Sequence, residues 1–256
     1  MPRRHRAEGV GIIVQARMAS KRLPGKALLD IEGKPLLRRL CDRMRFCRNA
    51  EGLTVATSQC AHDDAIEEAC RAWGIEVHRG PEEDLTTRLL GAVTGRGWSA
   101  FVRVTGDNPL TDPAGIDEMI EKFYSGDRVD NKSLSIVHNA HRDGYPYGTG
   151  AELVSRHVLE ECDRELRSPS ERECFMSFAR NSSSRFPCVK MAVPSHLRRR
   201  HYFLTVDYAA DLEVQGRIYR HFQGRDDMTL AEIIDFLDAN PQIAELNSDL
   251  HEAFII

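Results

Sequence analysis

Along the first 110 residues, short apolar runs alternate with longer segments whose apolar positions recur at helical spacing. The runs at residues 10–15, 53–57, 75–78 and 100–104 read as strands, and the segments near 35–47, 62–73 and 83–95 as amphipathic helices. Four βα units in succession predict an α/β fold: a mostly parallel central sheet flanked by helices. Acidic residues in Ala61-His62-Asp63-Asp64 sit at the positive end of the second helix, and Thr111-Asp112-Pro113 caps a further helix over about 114–124.

The alternation weakens after Ser125 and resumes with strand-like residues 134–138 and a turn-rich stretch at 141–148. Helices near 155–166 and 170–180 and a strand near 187–193 then form a long insertion, residues 143–200, read as a projecting arm. Tyr202-Phe203-Leu204-Thr205-Val206-Asp207 reads as a strand returning to the sheet, and helices near 209–222 and 229–239 follow. Residues 1–8, with Arg3, Arg4 and Arg6, read as a flexible tail ahead of one domain over 9–256. Within the insertion, Leu153, Val154, Val158, Leu159, Phe175, Met176 and Phe178 offer more apolar surface than an arm can bury against itself. They predict packing against a second copy in a two-fold homodimer.

Composition narrows the function classes. A formal net charge of −4 argues against a general nucleic-acid binder, although Arg198-Arg199-Arg200-His201 is a local basic cluster. Seven cysteines without a C-x-x-C pair predict reduced thiols in a cytoplasmic protein, most of them small core residues. No apolar run reaches the length of a membrane span, and no H-E-x-x-H spacing points to a catalytic zinc.

Chemistry concentrates where strands end. After Val10-Gly11-Ile12-Ile13-Val14 comes Gln15-Ala16-Arg17-Met18-Ala19-Ser20-Lys21-Arg22-Leu23-Pro24-Gly25-Lys26, a loop of small and cationic residues. Such a loop places backbone N–H groups and charges where a polyphosphate lies. Pro24-Gly25 stiffens the turn and aims Arg17, Arg22 and Lys26 together. The loop is not a P-loop, because the Gly-x4-Gly-Lys-Ser/Thr spacing is missing. Asp107 follows the apolar run Phe101–Thr105, and Asp207 ends Leu204-Thr205-Val206. Two carboxylates facing a basic phosphate loop make a candidate Mg²⁺ site, since Mg²⁺ takes one or two carboxylates plus phosphate oxygens. This set suits nucleotidyl transfer, in which positioning and charge neutralisation do most of the catalysis.

These segments, with Val55-Ala56-Thr57, Arg79-Gly80-Pro81-Glu82-Glu83-Asp84, Val104 to Leu110 and Ser170-Glu171-Arg172-Glu173, resemble the cytidylyltransferases of the spore-coat polysaccharide SpsF type. Those proteins are relatives of the enzymes that make CMP-Kdo and CMP-sialic acids, and the resemblance covers about residues 9–222. It implies a glycosyltransferase-A-like nucleotidyltransferase fold, CTP as co-substrate, Mg²⁺, and transfer of CMP to an anionic sugar acid with release of pyrophosphate. Arg17, Ser20, Arg22 and Lys26 would hold the triphosphate beside Gln15 and Ala16, with Lys26, Arg17 and Arg22 catalytic. Asp107 and Asp207 would hold the metal. Ala56, Thr57, Gly80 and Asp84 would lie near cytosine and ribose. On the acceptor side the resemblance points to Tyr147, Glu152, Arg172 and Glu173, beside a subunit interface. Gly150 stands where an acid is common, and Glu173-Cys174 where Glu-His is usual, so the acceptor stays open. Other readings are a phosphorylated or acidic acceptor of another kind, UTP in place of CTP, and a silent nucleotide- or sugar-binding module.

Overall fold

The computed structural model describes residues 9–129, 132–139 and 144–254, so the tail at 1–8 lies outside the described residues. Its central strand, β1 (Val10–Gln15), lies between two parallel partners, β4 (Leu53–Ser58) and β6 (Ala100–Thr105). Beyond β4 the sheet ends in β5 (Glu76–Gly80), also parallel. On the other side of β6 the direction reverses. β10 (Glu152–Ser155) runs antiparallel to β6 and to β9 (Ile136–His138), and β11 (Cys188–Lys190) closes the edge parallel to β9. The seven-stranded order is β11-β9-β10-β6-β1-β4-β5. Two short hairpins, β2–β3 (Asp30–Ile31, Lys34–Pro35) and β7–β8 (Arg128–Val129, Lys132–Ser133), stand apart from it.

The sheet is covered on both faces, which is why its central strands read as continuous apolar runs. Alternate residues of β1 point opposite ways. Val10, Ile12 and Val14 join a core with Leu37, Leu40, Ile66, Cys70, Ile116 and Met119 from α1 (Leu36–Met44), α2 (Asp64–Ala72) and α4 (Pro113–Tyr124). Ile13 faces the other core, with Leu89, Val93, Val158, Leu159 and Phe175 from α3 (Leu85–Gly95), α5 (Arg156–Glu165) and α7 (Phe175–Asn181). The cap at α4 forms as expected: the Asp112 carboxylate accepts from the N–H groups of Ala114 and Gly115, and Pro113 occupies the first turn. A third cluster gathers Leu204, Val206 and Leu110 under α8 (Ala209–His221) and α9 (Leu230–Ala239). Among the described residues no helix is long and apolar enough to cross a membrane.

Three expectations need correcting. Residues 144–200 do not project as an arm: they supply β10, β11, α5, α6 (Pro169–Glu173) and α7 to the body of the domain. Leu153, Val154, Val158, Leu159, Phe175 and Met176 are buried in the subunit's own cores, and Phe178 packs against the same cluster. The homodimer expectation thereby loses the unburied surface it was built on. The expected helix at 170–180 breaks at Cys174 into α6 and α7, which an uninterrupted apolar spacing does not reveal. Finally, Leu204-Thr205-Val206-Asp207 does not join the sheet. It is an extended segment held to Tyr147, whose N–H donates to the Tyr202 carbonyl at 2.8 Å and whose carbonyl accepts from Leu204 N at 2.7 Å. Its apolar residues are buried by α8 and α9 rather than by a ladder.

Candidate active site

β1 and β6 end side by side, and the two chains leaving them touch. Gly106 N donates to the Gln15 carbonyl at 2.8 Å, and a Cβ on Gly106 would stand 2.7 Å from that oxygen and 2.9 Å from the Ala16 Cβ. Only glycine permits this approach. The loop after Gln15 folds on itself, the Met18 carbonyl accepting from Ser20 N and from Gly25 N, and Gly25 turns with φ +72° into a single 3₁₀ turn at Lys26–Leu28. Asp63 anchors it. This fully buried carboxylate accepts from Met18 N at 2.7 Å through Oδ1, and from Ser58 N and Oγ at 3.1 and 2.5 Å through Oδ2. Burial pushes its pKa up, but those donors outweigh burial and hold it below the usual carboxylate range.

The loop forms one wall of a cleft of about 450 Å³. Lys26 lies at its floor, with Nζ 2.8 Å from each of Asp107 Oδ2, Asp207 Oδ1 and the Val206 carbonyl. The two carboxylate oxygens are thus no farther apart than twice that distance. Burial opposes the Lys26 charge, but Asp107 and Asp207 outweigh it and raise the pKa. Arg22 reaches Asp207 Oδ1 at 2.7 Å, and its guanidinium lies over the Tyr208 ring. Arg17 spans the cleft mouth, donating to the Glu82 carbonyl at 3.0 Å and to Glu173 Oε1 at 3.1 Å. Gln15, Ala16, Ser20, Arg22, Lys26, Asp107, Asp207, Arg17 and Glu173 all line this cleft. Asp207 arrives because Val206 N donates to the Asp107 carbonyl at 2.8 Å.

The remaining predicted residues lie elsewhere. Ala56 and Thr57 are fully buried in β4, behind the loop, where the Ala56 carbonyl accepts from Ala16 N. Gly80 lets α3 pack close, since a Cβ there would stand 3.0 Å from Arg88. Asp84 caps α3 at Thr87 N and pairs with Arg172 at 2.7 Å; Arg172 also binds Asp163, so these two hold α3, α5 and α6 together. Tyr147 and Glu152 belong to a second cleft of about 280 Å³, which shares Thr105 with the first. There Glu152 stands across from Arg103 in the β10–β6 register, bonded to it at 2.5 Å and to Arg180 as well. Burial pushes the Glu152 pKa up, and the two guanidiniums bring it below its ordinary value.

Sequence reasoning missed Asp63, Arg88, Arg103 and Arg180. Arg103 left a signal, a cation inside the apolar run Phe101-Val102-Arg103-Val104. Arg88, 2% exposed, lines the main cleft and donates to the carbonyls of Pro81 and Glu82.

A cationic loop leaving a central strand, faced by two carboxylates and a lysine, is an arrangement that suits a nucleotidyltransferase. Residues 11–162 match the family model described as Cytidylyltransferase. The chain belongs to the cytidylyltransferase family. This cytidylyltransferase is 30% identical over 237 residues to the spore coat polysaccharide biosynthesis protein SpsF of Bacillus subtilis, covering 91% of this chain and 95% of the relative. It is 41% identical over 110 residues to a 3-deoxy-manno-octulosonate cytidylyltransferase of Geobacter sulfurreducens, 42% of either chain. A solved structure of a cytidylyltransferase from Leptospira borgpetersenii superposes with a TM-score of 0.85 at 28% identity, over 93% of this chain and 97% of that one. The enzyme is therefore a nucleotidyltransferase.

Proposed function

We propose that this enzyme moves CMP from CTP to an anionic sugar acid in the presence of Mg²⁺, releasing pyrophosphate. The observation that carries the reading is the Lys26 ammonium seated between Asp107 and Asp207 on the floor of a cleft walled by Arg17, Ser20 and Arg22. The loop N–H groups and these cations hold the triphosphate. An acceptor oxygen attacks the α-phosphorus, the α–β bridging P–O bond breaks, and Lys26 and Arg22 balance the charge on the departing pyrophosphate. The donors suit a hard divalent ion: both are carboxylates, and Asp107 opens partly onto the cleft. With Mg²⁺ held there, the phosphate oxygens would be polarised.

The second cleft supports the acceptor assignment. Arg103, Arg180 and Glu152 leave one net positive charge beside Tyr147 and Asn108, which suits a carboxylate surrounded by hydroxyls. Thr105 lines both clefts, so an acceptor in the second would lie beside the phosphates in the first. Because CTP is the donor, the reading places the reaction in the cytoplasm.

Pyrophosphate release, measured with each of the four nucleoside triphosphates against 2-keto sugar acids, sugar phosphates and small phosphonates, tests this reading. Release is expected with CTP and a sugar acid. Release with a sugar phosphate alone, or with UTP in preference to CTP, would replace the acceptor or the base, and no release with any pair would leave a binding module.

A further inference from the structure

β4 and β5 are parallel neighbours with Ser58 opposite Gly80, so the residues two positions beyond, Cys60 and Glu82, emerge together at the same end of the sheet. His62 follows Cys60 in the 3₁₀ turn Ala61–Asp63. The three side chains converge: Cys60 Sγ lies 2.9 Å from Glu82 Oε2, and His62 Nε2 lies 3.1 Å from Glu82 Oε1. All three donor atoms fall within 4.8 Å of one another, the one such cluster of metal-ligating side chains among the described residues. None of them has a role in the proposed transfer reaction.

We propose that Cys60, His62 and Glu82 form a second metal site, for a thiophilic transition ion of the Zn²⁺ class. Thiolate, imidazole and carboxylate are each donors that Zn²⁺ binds, and three of them leave a fourth position open to water. Zinc bonds of about 2.0–2.3 Å set tetrahedral ligand edges of about 3.3–3.6 Å, inside the 4.8 Å that bounds the three donor atoms. A thiolate and a carboxylate balance the double charge of the ion. Sulfur also separates this site from the all-oxygen site at Asp107 and Asp207, because Mg²⁺ shuns thiolates.

The loop is braced for the purpose before any ion arrives. Arg79 donates to the carbonyls of Ser58 and Cys60 at 2.8 and 2.9 Å, and Asp63 takes both donors of Ser58, so the Cys60 backbone is fixed from two sides. His62 is 44% exposed, which leaves a path for the ion. Occupancy would also bear on the nucleotide cleft, since the Glu82 carbonyl receives both Arg17 and Arg88.

The test is a titration of the metal-stripped full chain with Co²⁺ in excess Mg²⁺, read by absorbance. One equivalent of Co²⁺ should raise a thiolate-to-cobalt charge-transfer band that Zn²⁺ displaces. Cys60→Ser should abolish the band, Cys174→Ser should keep it, and His62→Ala should weaken Co²⁺ affinity at least tenfold. Circular dichroism and thermal melts confirm that each variant is folded, and Cys60→Ala repeats the loss without a hydroxyl. A band missing from the wild type, surviving Cys60→Ser, or unmoved in affinity by His62→Ala overturns the assignment. Because the readout does not involve turnover, its failure leaves the transfer reaction untouched.

Discussion

Asp63→Asn removes one charge and one acceptor from the anchor of the loop after Gln15 while conserving volume. The native carboxylate serves Met18 N with one oxygen and both donors of Ser58 with the other. An amide has a single oxygen, so in either orientation an NH₂ group faces a donor. The variant loses at least one charge-assisted hydrogen bond, worth about 1.5–3 kcal/mol, and leaves a buried N–H unpaired, for a total near 3 kcal/mol. In a chain of this size that lowers the Tm by about 6–12 °C. The loop loosens as well, so the KM for CTP rises in a steady-state pyrophosphate-release assay. Asp64→Asn is the control: its carboxylate is 54% exposed and pairs with Arg79 at the surface, so its Tm should hardly move. The pH dependence has a definite sign. Asp63 is held below its unfolded value, so its contribution is complete above about pH 4 and is lost as pH falls through the still lower native pKa. The gap between wild type and variant should persist at neutral pH and close only in acid. A Tm within about 2 °C of wild type, with CTP KM unchanged, would refute the anchoring role.

Lys26→Ala should lower turnover about 100- to 1,000-fold, and, by leaving Asp107 and Asp207 facing each other, should make the Tm rise more on adding Mg²⁺ than in the wild type; unchanged turnover would remove Lys26 from the reaction. Gly148→Ala, at φ +91° with its new Cβ 2.4 Å from Thr205 N, should cost about 2 kcal/mol or more in denaturant melts and displace the segment that carries Asp207. Arg180→Met should raise the KM for a sugar-acid acceptor while leaving that for CTP in place, and equal changes in both would argue against a separate acceptor cleft.

The parts of the fold that were legible in the sequence are those where one physical signal dominates. The apolar runs of β1, β4 and β6 are covered on both faces, so apolar residues dominate them even where Thr54 or Arg103 interrupts. The loop after Gln15 was legible because its cations gather within ten residues, and the structure brings Arg17, Arg22 and Lys26 into one cleft. β10 escaped because it offers only Leu153 and Val154 as a pattern, and its pairing with β6 is decided by residues fifty positions away. Leu204–Val206 misled because burial by helices and burial in a sheet leave the same apolar run. Asp63 read as a helix-terminal acid, and nothing local announces that its oxygens turn instead to Met18 and Ser58. Asp84 and Arg172 were assigned to ligands from motif likeness, but the structure has them paired with each other.

Asp207 rests on residues that a ribosome delivers long after the sheet. Its backbone N–H donates to Asp211, whose carboxylate is gripped in turn by Asn247 and His251. During synthesis every strand of the main sheet exists once residue 190 has emerged, so the scaffold can collapse while more than fifty residues are still to come. The charge centre on its floor cannot. It waits for a segment made a hundred residues after Asp107 and for a brace made forty residues later still, which separates assembly of the charge centre from collapse of the sheet that carries it.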